Sequence, residues 1–437
     1  MANLIKNQQS ILEKLGIKAL NLMQEKAISV IDKTENTILL SPTGTGKTLA
    51  FLLPVLKTLS TENPEVQALI VVPTRELAIQ IEQVVRNMGS GFKVNAVYGG
   101  RSKSKDKIEL KHTPAILIGT PGRILDHFDD GRFSKATIQT LVLDEYDKSL
   151  EIGFEGEMRE IINELSGVRK RILTSATQGV GVPKFVKLAS PVILDFLLEK
   201  TDPKLAIKTV IAADKDKLEA LINLVNYLGN QPGIIFCNFR DSIELVSGFL
   251  LKNKISHSCF SGGMEQKDRE RALIKFRNGT SRILLATDLA ARGIDIPELK
   301  FIIHYELPHS SVEFTHRNGR TARVNEKGTA YVLKWKNQLL PDFIEKTDAL
   351  TISKVFEKTE QYWETLFISG GRKDKISKGD IAGLFIKQGG LTQEQLGVIE
   401  LKQDCAFVAV PLALASKLVE NLTNTRLKKK KVRVYIL

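Results

Sequence analysis

The chain has 437 residues, of which 63 are Lys or Arg and 50 are Asp or Glu, and its formal net charge is +13 at pH 7. This length exceeds that of a typical single domain, and an apolar fraction of 43% is ample for separate cores, so we expect a multidomain protein. The basic excess is unusual for a metabolic enzyme and suits a polyanionic partner such as a nucleic acid.

The first residues and the cysteines exclude several further classes of protein. Residues 1–6 are followed by the polar run 7–10 instead of the apolar core of a signal peptide, and no window approaches the roughly eighteen apolar residues of a membrane span. We therefore expect a cytoplasmic protein with no membrane partner. Cys237, Cys259 and Cys405 are odd in number and far apart, which argues against a disulfide framework and a zinc site.

The first segment that carries chemistry is a glycine-rich loop, SPTGTGKT at residues 41–48, between a strand pattern and a helix pattern. Gly44 and Gly46 let the backbone turn its N–H groups inward, and the following helix offers its positive N-terminus to phosphates. In such a loop Lys47 reaches the β and γ phosphates, and the Thr48 hydroxyl ligates Mg²⁺. The loop predicts a nucleoside triphosphate site formed by Ser41, Pro42, Thr43, Gly44, Thr45, Gly46, Lys47 and Thr48, with Ser41 where the usual pattern has its first glycine.

An acidic cluster follows the apolar strand pattern at residues 140–143 and consists of Asp144, Glu145, Tyr146 and Asp147. A carboxylate at the end of a buried strand can supply the second protein ligand for Mg²⁺, which is the role expected for Asp144. Glu145 is placed to orient or deprotonate the attacking water. The alternative is that the cluster only caps a following helix. The glycine-rich loop and the acidic cluster in this order make nucleotide hydrolysis the stronger interpretation.

Two blocks of alternating strand and helix patterns make up most of the chain, and each block is typical of a parallel-sheet domain. A β-α-β-β-α-β order follows them from residue 363 and is typical of a four-stranded RRM-like module. This last region is the most concentrated basic part of the chain, with thirteen Lys and Arg against seven Asp and Glu. We predict domains at residues 1–200, 201–350 and 363–437, with a linker at residues 351–362.

Seven further segments occur in order along residues 10–350. They are PTRELA at 73–78, GG at 99–100, TPGR at 120–123, SAT at 175–177, QKDR at 266–269, TDLAARGID at 287–295 and HRNGRTAR at 316–323. With the glycine-rich loop and the acidic cluster, they make this part of the chain similar to the DEAD-box ATP-dependent RNA helicases. The resemblance implies an α/β fold with two tandem RecA-like parallel-sheet domains plus the small C-terminal α+β RRM-like domain, and it implies ATP and Mg²⁺ as cofactors.

The resemblance also implies roles for residues outside the two central motifs. Arg320 and Arg323 would be catalytic arginine fingers, because a guanidinium group neutralises the charge that spreads over the γ-phosphate oxygens. Gly293 and Asp295 would lie beside the nucleotide ribose. Gln24 would bind the adenine base through its side-chain amide.

Three polar residues are expected to couple the nucleotide site to RNA. By resemblance, Ser175 and Thr177 link Asp147 and the rest of the acidic cluster to the RNA-facing surface. Simple capping of a strand end is the alternative, because Ser and Thr readily satisfy local backbone groups. Tyr146 stands where the family motif has alanine, and we expect altered coupling between domains with retained hydrolysis.

The segments that resemble RNA-contacting motifs of the family are rich in small residues, hydroxyl groups and arginines. These groups suit phosphate and sugar oxygens and have little means of reading base edges, so we expect the helicase core to bind RNA without sequence preference. The predicted RNA-binding residues of the core are Pro73, Thr74, Arg75, Gly99, Gly100, Thr120, Arg123, Arg269 and Thr287.

The C-terminal region resembles the RNA-binding domain of the DbpA-type bacterial helicases, through LFISGGRK at 366–373, KGDIAG at 378–383, GVI at 397–399 and KVRV at 431–434. Phe367 and Phe407 fall where an RRM places base-stacking aromatic residues, and burial in a core is the alternative for both. The resemblance implies a ribosomal RNA target and a role in assembly of the large ribosomal subunit.

The leading hypothesis from the sequence is an RNA-stimulated ATPase that locally separates short RNA duplexes. One alternative is an ATP-gated RNA clamp or assembly scaffold without significant unwinding. A DNA helicase with the same two-domain core is a further alternative, and the RRM-like region disfavours it. The sequence contains no evident oligomerisation element.

Overall fold

The computed structural model describes residues 7–42, 44–177, 181–197, 205–288, 299–321, 328–344, 347–352 and 361–437. The chain divides into two compact units, with the boundary at residues 203/204. The first unit contains one seven-stranded sheet, and the second contains another seven-stranded sheet and a four-stranded sheet. The predicted fold class of two parallel-sheet domains and a small α+β domain is confirmed. No helix in the described part of the chain is long and apolar enough to cross a bilayer.

The first unit alternates strands and helices. Its helices are α1 (Gln8–Leu15), α2 (Leu22–Lys33), α3 (Lys47–Thr58), α4 (Arg75–Met88), α5 (Lys103–Leu110), α6 (Pro121–Asp129), α7 (Tyr146–Glu151) and α8 (Glu155–Glu164). Its strands are β1 (Asn36–Leu40), β2 (Ala68–Val71), β3 (Val94–Val97), β4 (Ile116–Gly119), β5 (Thr140–Leu143), β6 (Lys170–Ser175) and β7 (Val192–Asp195). They pair in parallel in the order β3-β4-β2-β5-β6-β1-β7.

The central strands of this sheet are buried along their whole length, which explains their nearly continuous apolar sequence. Two separate hydrophobic clusters involve alternate residues of these strands, so both faces of the sheet are covered. Because the strands are parallel, the loops that follow them lie along one edge of the sheet. Ligands bind at this edge in open parallel sheets.

The second unit begins with another parallel sheet. Its strands are β8 (Leu205–Ala212), β9 (Gly233–Phe236), β10 (His257–Phe260), β11 (Ile283–Ala286), β12 (Phe301–His304), β13 (Gly328–Trp335) and β14 (Asp348–Ala349), in the order β10-β11-β9-β12-β13-β8-β14. Within the described residues its helices are α9 (Leu218–Leu228), α10 (Arg240–Lys252), α11 (Gln266–Arg277) and α12 (Ser311–Asn318). We call this part the second helicase domain, after the family that the sequence resembles.

The remainder of the second unit is the tail domain, residues 361–437. Its four-stranded antiparallel sheet has the order β16 (Ile399–Leu401), β17 (Ala406–Pro411), β15 (Trp363–Ile368) and β20 (Val434–Ile436). The helices α13 (Lys378–Gly383) and α14 (Leu412–Leu422) and the π-helical turn Leu384–Gln388 pack on one face. A separate hairpin, β18 (Arg426–Leu427) and β19 (Lys430–Lys431), precedes the last strand of the sheet.

Candidate functional site

The glycine-rich loop curls between β1 and α3 as the sequence predicts. Gly44 and Gly46 have φ of 81° and 87°, values that favour glycine. The Nζ of Lys47 donates hydrogen bonds to the carbonyl oxygens of Ser41 and Pro42, the second at 2.8 Å, so the lysine lies back across its own loop. Thr43, which was also predicted to bind nucleotide, lies outside the described residues.

Gln24 connects α2 to this loop. Its side-chain oxygen accepts from the backbone N–H of Asn21 at 3.0 Å, and the Asn21 side chain accepts from the Gln24 N–H at 2.9 Å, so the two residues form a capping box. The Gln24 Nε2 donates to the carbonyl of Gly46 at 3.3 Å, and the Asn21 Nδ2 donates to that of Thr45 at 3.0 Å. This contact places Gln24 at the nucleotide loop, and its binding of adenine stays a prediction.

The acidic cluster lies directly beyond β5, next to β6. Thr174 on β6 donates its hydroxyl hydrogen to the carboxylate of Asp144 and accepts from the backbone N–H of Glu145 at 3.2 Å. Thr174 therefore orients both residues that are predicted to act on the nucleotide. The sequence did not single out Thr174, because only the pairing of β5 with β6 brings it to the cluster.

The backbone turns sharply at Glu145, which has φ 51° and ψ 48°. A non-glycine residue in this left-handed region is strained, and such strain concentrates at functional sites. The fully buried Lys148 forms an ion pair with Glu145, with 2.9 Å between Nζ and Oε2. Lys148 is a second buried cation at the site that the sequence analysis missed, because its partner depends on this turn.

The ionisable groups of the site have shifted pKa values. Burial raises the pKa of Asp144 to about 6, and the neighbouring Glu145 carboxylate adds to this rise. Burial lowers the pKa of Lys47 to about 8, although Glu145 and Asp144 oppose the shift. The site thus holds carboxylates away from water, and a bound cation would stabilise their charged form.

The predicted coupling residues are in contact. Thr177 donates its hydroxyl hydrogen to the Asp147 Oδ2 at 2.8 Å. The Ser175 hydroxyl donates to the Thr177 carbonyl at 2.7 Å and accepts from the Thr177 N–H at 3.0 Å. The backbone N–H of Ser41 in the glycine-rich loop donates to the Ser175 carbonyl at 3.0 Å. The glycine-rich loop, the acidic cluster and the SAT segment therefore form one connected network.

Several predicted RNA-binding residues of the first unit lie in neighbouring loops. Thr74, which follows Pro73, caps α4 by accepting from the N–H of Leu77 at 3.3 Å. The guanidinium group of Arg75 packs against Gly99 and Gly100, and a Cβ added at Gly100 would lie 2.3 Å from its Nη1. A side chain at Gly100 would therefore require this arginine to shift.

Arg123 lies in the interior, with 8% of its surface exposed. It donates to the carbonyl of Arg101 and lies 3.7 Å from a carboxylate oxygen of the buried Asp106. Asp106 also pairs with Arg101 at 3.2 Å and with His127 at 3.1 Å. In this conformation Arg123 and the loop at Thr120 are anchored to α5, and their contact with RNA stays a prediction.

The second helicase domain has a buried polar network at the carboxyl ends of its strands. The fully buried Arg317 donates to Asp288 at 2.7 Å, to the Asn238 side chain at 2.7 Å and to the Glu306 carbonyl at 2.7 Å. Arg317 therefore holds together the segments that follow β9, β11 and β12. Thr287 lies in this region beside Asp288.

Two other predicted residues of this domain are described. Arg269 on α11 stacks over the Phe260 ring, with its guanidinium carbon 4.7 Å from the ring centroid. Arg320 is 6% exposed and follows α12. The predicted nucleotide-binding and catalytic residues Gly293, Asp295 and Arg323 lie outside the described residues.

Three family descriptions match successive parts of the chain: DEAD/DEAH box helicase at residues 21–184, helicase conserved C-terminal domain at residues 216–325, and DbpA RNA binding domain at residues 365–436. The ATP-dependent RNA helicase DbpA of Escherichia coli is 31% identical over 445 residues, which cover 98% of this chain and 97% of that protein. This chain belongs to the DEAD/DEAH box helicase family. It is an ATP-hydrolysing RNA helicase with a DbpA-type RNA-binding domain.

Another relative and two solved structures of this DEAD-box helicase's family support the same assignment. The ATP-dependent RNA helicase DbpA of Bacillus subtilis is 29% identical over 460 residues, covering 97% of this chain and 96% of that protein. Solved structures of S. cerevisiae Dbp5 bound to RNA and ADP BeF3 (TM-score 0.67) and of Mss116p bound to ssRNA and AMP-PNP (TM-score 0.69) are each 26% identical. They cover 75% and 80% of this chain, and the matches cover 88% and 78% of those chains.

The tail domain of this helicase carries an aromatic row on the sheet face away from its helices. Phe367 pairs across the sheet with Phe407 and with Tyr435, at centroid distances of 5.6 and 4.5 Å. Phe407 is 7% exposed, whereas Tyr435 is 41% exposed. The helix-side core contains none of the three. Phe407 is thus buried, as the alternative expected, but on the face away from the helix-side core, and its stacking on RNA stays a prediction. Tyr435 is a member of the row that the sequence did not indicate.

Part of the same face of the tail domain packs against the end of α11. Arg277 donates two hydrogen bonds to Glu400, at 2.6 and 2.9 Å, in the bidentate geometry of strong arginine–carboxylate pairs. Thr365 interacts with Asn278 at 3.2 Å and with Thr280 at 2.7 Å. Burial opposes the shift, yet Arg277 keeps the pKa of Glu400 below its usual value. This polar interface joins the tail domain to the second helicase domain.

Replacement of Arg277 by Glu should destabilise this interface, because it places a second carboxylate beside Glu400. We expect R277E to lower the free energy of unfolding by on the order of 2 kcal/mol, and the double variant R277E/E400R to recover part of that loss. Urea titrations of the full chain would measure both effects. R159E is a matched control, since Arg159 pairs with Glu155 on an exposed helix surface. An equal loss in R277E and R159E would contradict the assigned interface.

Proposed function

We propose that this helicase couples ATP hydrolysis to local separation of RNA duplexes in ribosomal RNA during assembly of the large ribosomal subunit, in the cytoplasm. The observation that carries the proposal is the match of residues 365–436 to the DbpA RNA binding domain, which follows the two helicase matches at residues 21–184 and 216–325. Relatives that share nearly the whole chain bear the name DbpA. This similarity over nearly the whole chain supports the same class of RNA target for this protein and these relatives.

The nucleotide site has the groups that this activity needs. Lys47, freed from the Ser41 and Pro42 carbonyls, would bind the β and γ phosphates, and Glu145 would hold the attacking water. The buried Asp144, with its raised pKa, and the hydroxyl of Thr48 fit a Mg²⁺ ion, which would neutralise phosphate charge when bound. The roles of Gln24, Gly293, Asp295, Arg320 and Arg323 rest on the family resemblance.

The hydrogen-bonded network supports the proposed coupling role of Asp147, Ser175 and Thr177. Asp147 is fully buried and holds Thr177, which lies two residues beyond the end of β6. A change at the acidic cluster during hydrolysis would therefore move the SAT segment. We propose that this movement transmits the nucleotide state to the RNA-binding loops of the first unit.

Strand separation distinguishes the proposed helicase from an ATP-gated clamp. The full chain would be incubated with a short RNA duplex attached to a ribosomal RNA hairpin, with ATP or with AMP-PNP. The proposal expects release of the free strand with ATP. A clamp would remain on the duplex in an ATP-dependent manner and release no strand, and that result would contradict the proposed function.

The basic hairpin of the tail domain should contribute to RNA affinity. Lys428 and Lys430 pair with Asp380 at 2.8 Å and Asp374 at 2.7 Å, while Lys429 and Lys431 are exposed. We expect K429E/K431E to weaken binding of a ribosomal RNA hairpin by about tenfold or more and to lower the salt slope by about 2, because two phosphate contacts are lost. Fluorescence anisotropy across a salt series would measure this.

K252E/K254E is the matched control for this variant. Both lysines are exposed. Lys252 ends α10 and Lys254 lies in the loop before β10, at the amino edge of the second parallel sheet and away from the predicted RNA-binding loops. The two variants change the net charge equally. An equal loss of affinity in both would mean that total charge, and not the tail hairpin, determines binding.

A further inference from the structure

Phe239 lies at the carboxyl edge of the second parallel sheet and is 61% exposed. It follows the last residue of β9 by three positions and immediately precedes α10. The neighbours of β9 in the sheet are β11, which ends one residue before Thr287, and β12. A large aromatic ring therefore lies at the sheet edge that carries the predicted RNA contact of this domain.

The segment that carries Phe239 is held by polar contacts. The His309 ring, from the loop after β12, lies with its centroid 6.4 Å from that of Phe239. The side chains of Asn238 and His309 are 3.2 Å apart, and Asn238 accepts a hydrogen bond from the fully buried Arg317 at 2.7 Å. The ring is thus presented from a rigid base, which lowers the entropy cost of binding.

Isolated exposed apolar side chains are common, and α10 has two others, Leu245 and Leu251, which are 58% and 65% exposed. Phe239 differs from them in its surroundings. It occupies the N-cap position of the thirteen-residue helix α10, where no side chain caps the free backbone N–H groups. Leu245 and Leu251 lie further along this helix, so of the three only Phe239 adjoins the carboxyl end of β9.

We propose that Phe239 is a base-stacking contact for single-stranded RNA on the second helicase domain, with His309 at the side of the ring. Every nucleobase has a π-face, so stacking on Phe239 adds affinity without sequence preference. The predicted contacts of the core supply hydroxyl and guanidinium groups for phosphate and sugar. Phe239 supplies the complementary apolar contact to a base.

An abasic scan of the RNA tests this assignment. The full chain with AMP-PNP would be titrated with a labelled single-stranded RNA in which one nucleotide at a time lacks its base. We expect one abasic position to weaken binding to the wild-type chain by about 5- to 100-fold. F239A should bind the intact RNA more weakly by a similar factor and lose the penalty at that position, while F239W retains both.

Leu251→Ala is the matched control, since Leu251 is equally exposed but lies near the other end of α10. L251A should bind like the wild-type chain, and F239A should keep the wild-type salt slope because no phosphate contact is removed. Unchanged affinity of F239A would overturn the proposal. Weaker binding of F239A with the abasic penalty still present would also overturn it, because the loss would then be structural.

Discussion

Replacement of Glu145 by Gln should lower RNA-stimulated ATP hydrolysis by about 10²–10⁴-fold while ATP binding is retained. Glutamine has nearly the size of glutamate but cannot accept the proton of the attacking water. The strained turn at Glu145, the hydrogen bond from its N–H to Thr174 and the ion pair with Lys148 hold this carboxylate in place. The rate constant kcat and the Kd for a fluorescent ATP analogue would be measured on the same preparation.

Glu160→Gln provides the control for this measurement, because Glu160 is an exposed residue on α8 of the same unit. It should match the wild-type chain in both quantities. Normal hydrolysis by E145Q would show that the role assigned to Glu145 is wrong. Loss of ATP binding in E145Q would point to a structural role for this carboxylate instead.

Replacement of Lys47 by Ala should weaken ATP binding by about 10²-fold or more, so that no turnover is measured at ordinary ATP concentrations. Lys47 is the cation of the glycine-rich loop. In this structure its ammonium group donates hydrogen bonds to the Ser41 and Pro42 carbonyls. Its loss also removes positive charge near the buried Asp144 and Glu145. Titration with a fluorescent ATP analogue would measure the change in Kd.

Lys57→Ala is the control for this second variant, because Lys57 lies at the other end of α3 and forms a half-exposed pair with Asp32. It should bind ATP like the wild-type chain. Thermal unfolding of both variants would verify that they are folded. Tight ATP binding by folded K47A would contradict the assignment of the loop as the nucleotide site.

The elements that sequence could predict are those specified by short local patterns. The glycine-rich loop depends on positive φ at Gly44 and Gly46, and the position of Asp144 depends on the end of an apolar strand. The parallel sheets follow from alternating strand and helix patterns. These features need no knowledge of which strands become neighbours, so the fold class and the positions of the glycine-rich loop and of Asp144 could be predicted from the sequence.

The contacts that sequence could not predict depend on side chains brought together by strand pairing. Thr174 contacts Asp144 only because β6 lies beside β5. Asp106 forms contacts with Arg101, Arg123 and His127, which come from different parts of the chain. The interior position of Arg123 is a consequence of that cluster. A residue type alone does not tell whether an arginine is presented to solvent or anchored inside.

The contacts between the tail domain and the second helicase domain could not be predicted from the sequence either. The sequence pattern places Phe367 and Phe407 on one face of a sheet. The pattern cannot show that Arg277 forms an ion pair with Glu400, which lies 123 positions later in the chain. This pair covers part of that face. The exposed end of the aromatic row at Tyr435 is therefore a structural finding.

The most direct test of the central claim is steady-state ATP hydrolysis by the full chain without nucleic acid, with ribosomal RNA, and with DNA of equal length. We expect strong stimulation by ribosomal RNA and little stimulation by DNA. Hydrolysis that is equally fast without nucleic acid, or equally stimulated by DNA, would contradict the assignment of this chain as an RNA-dependent ATPase.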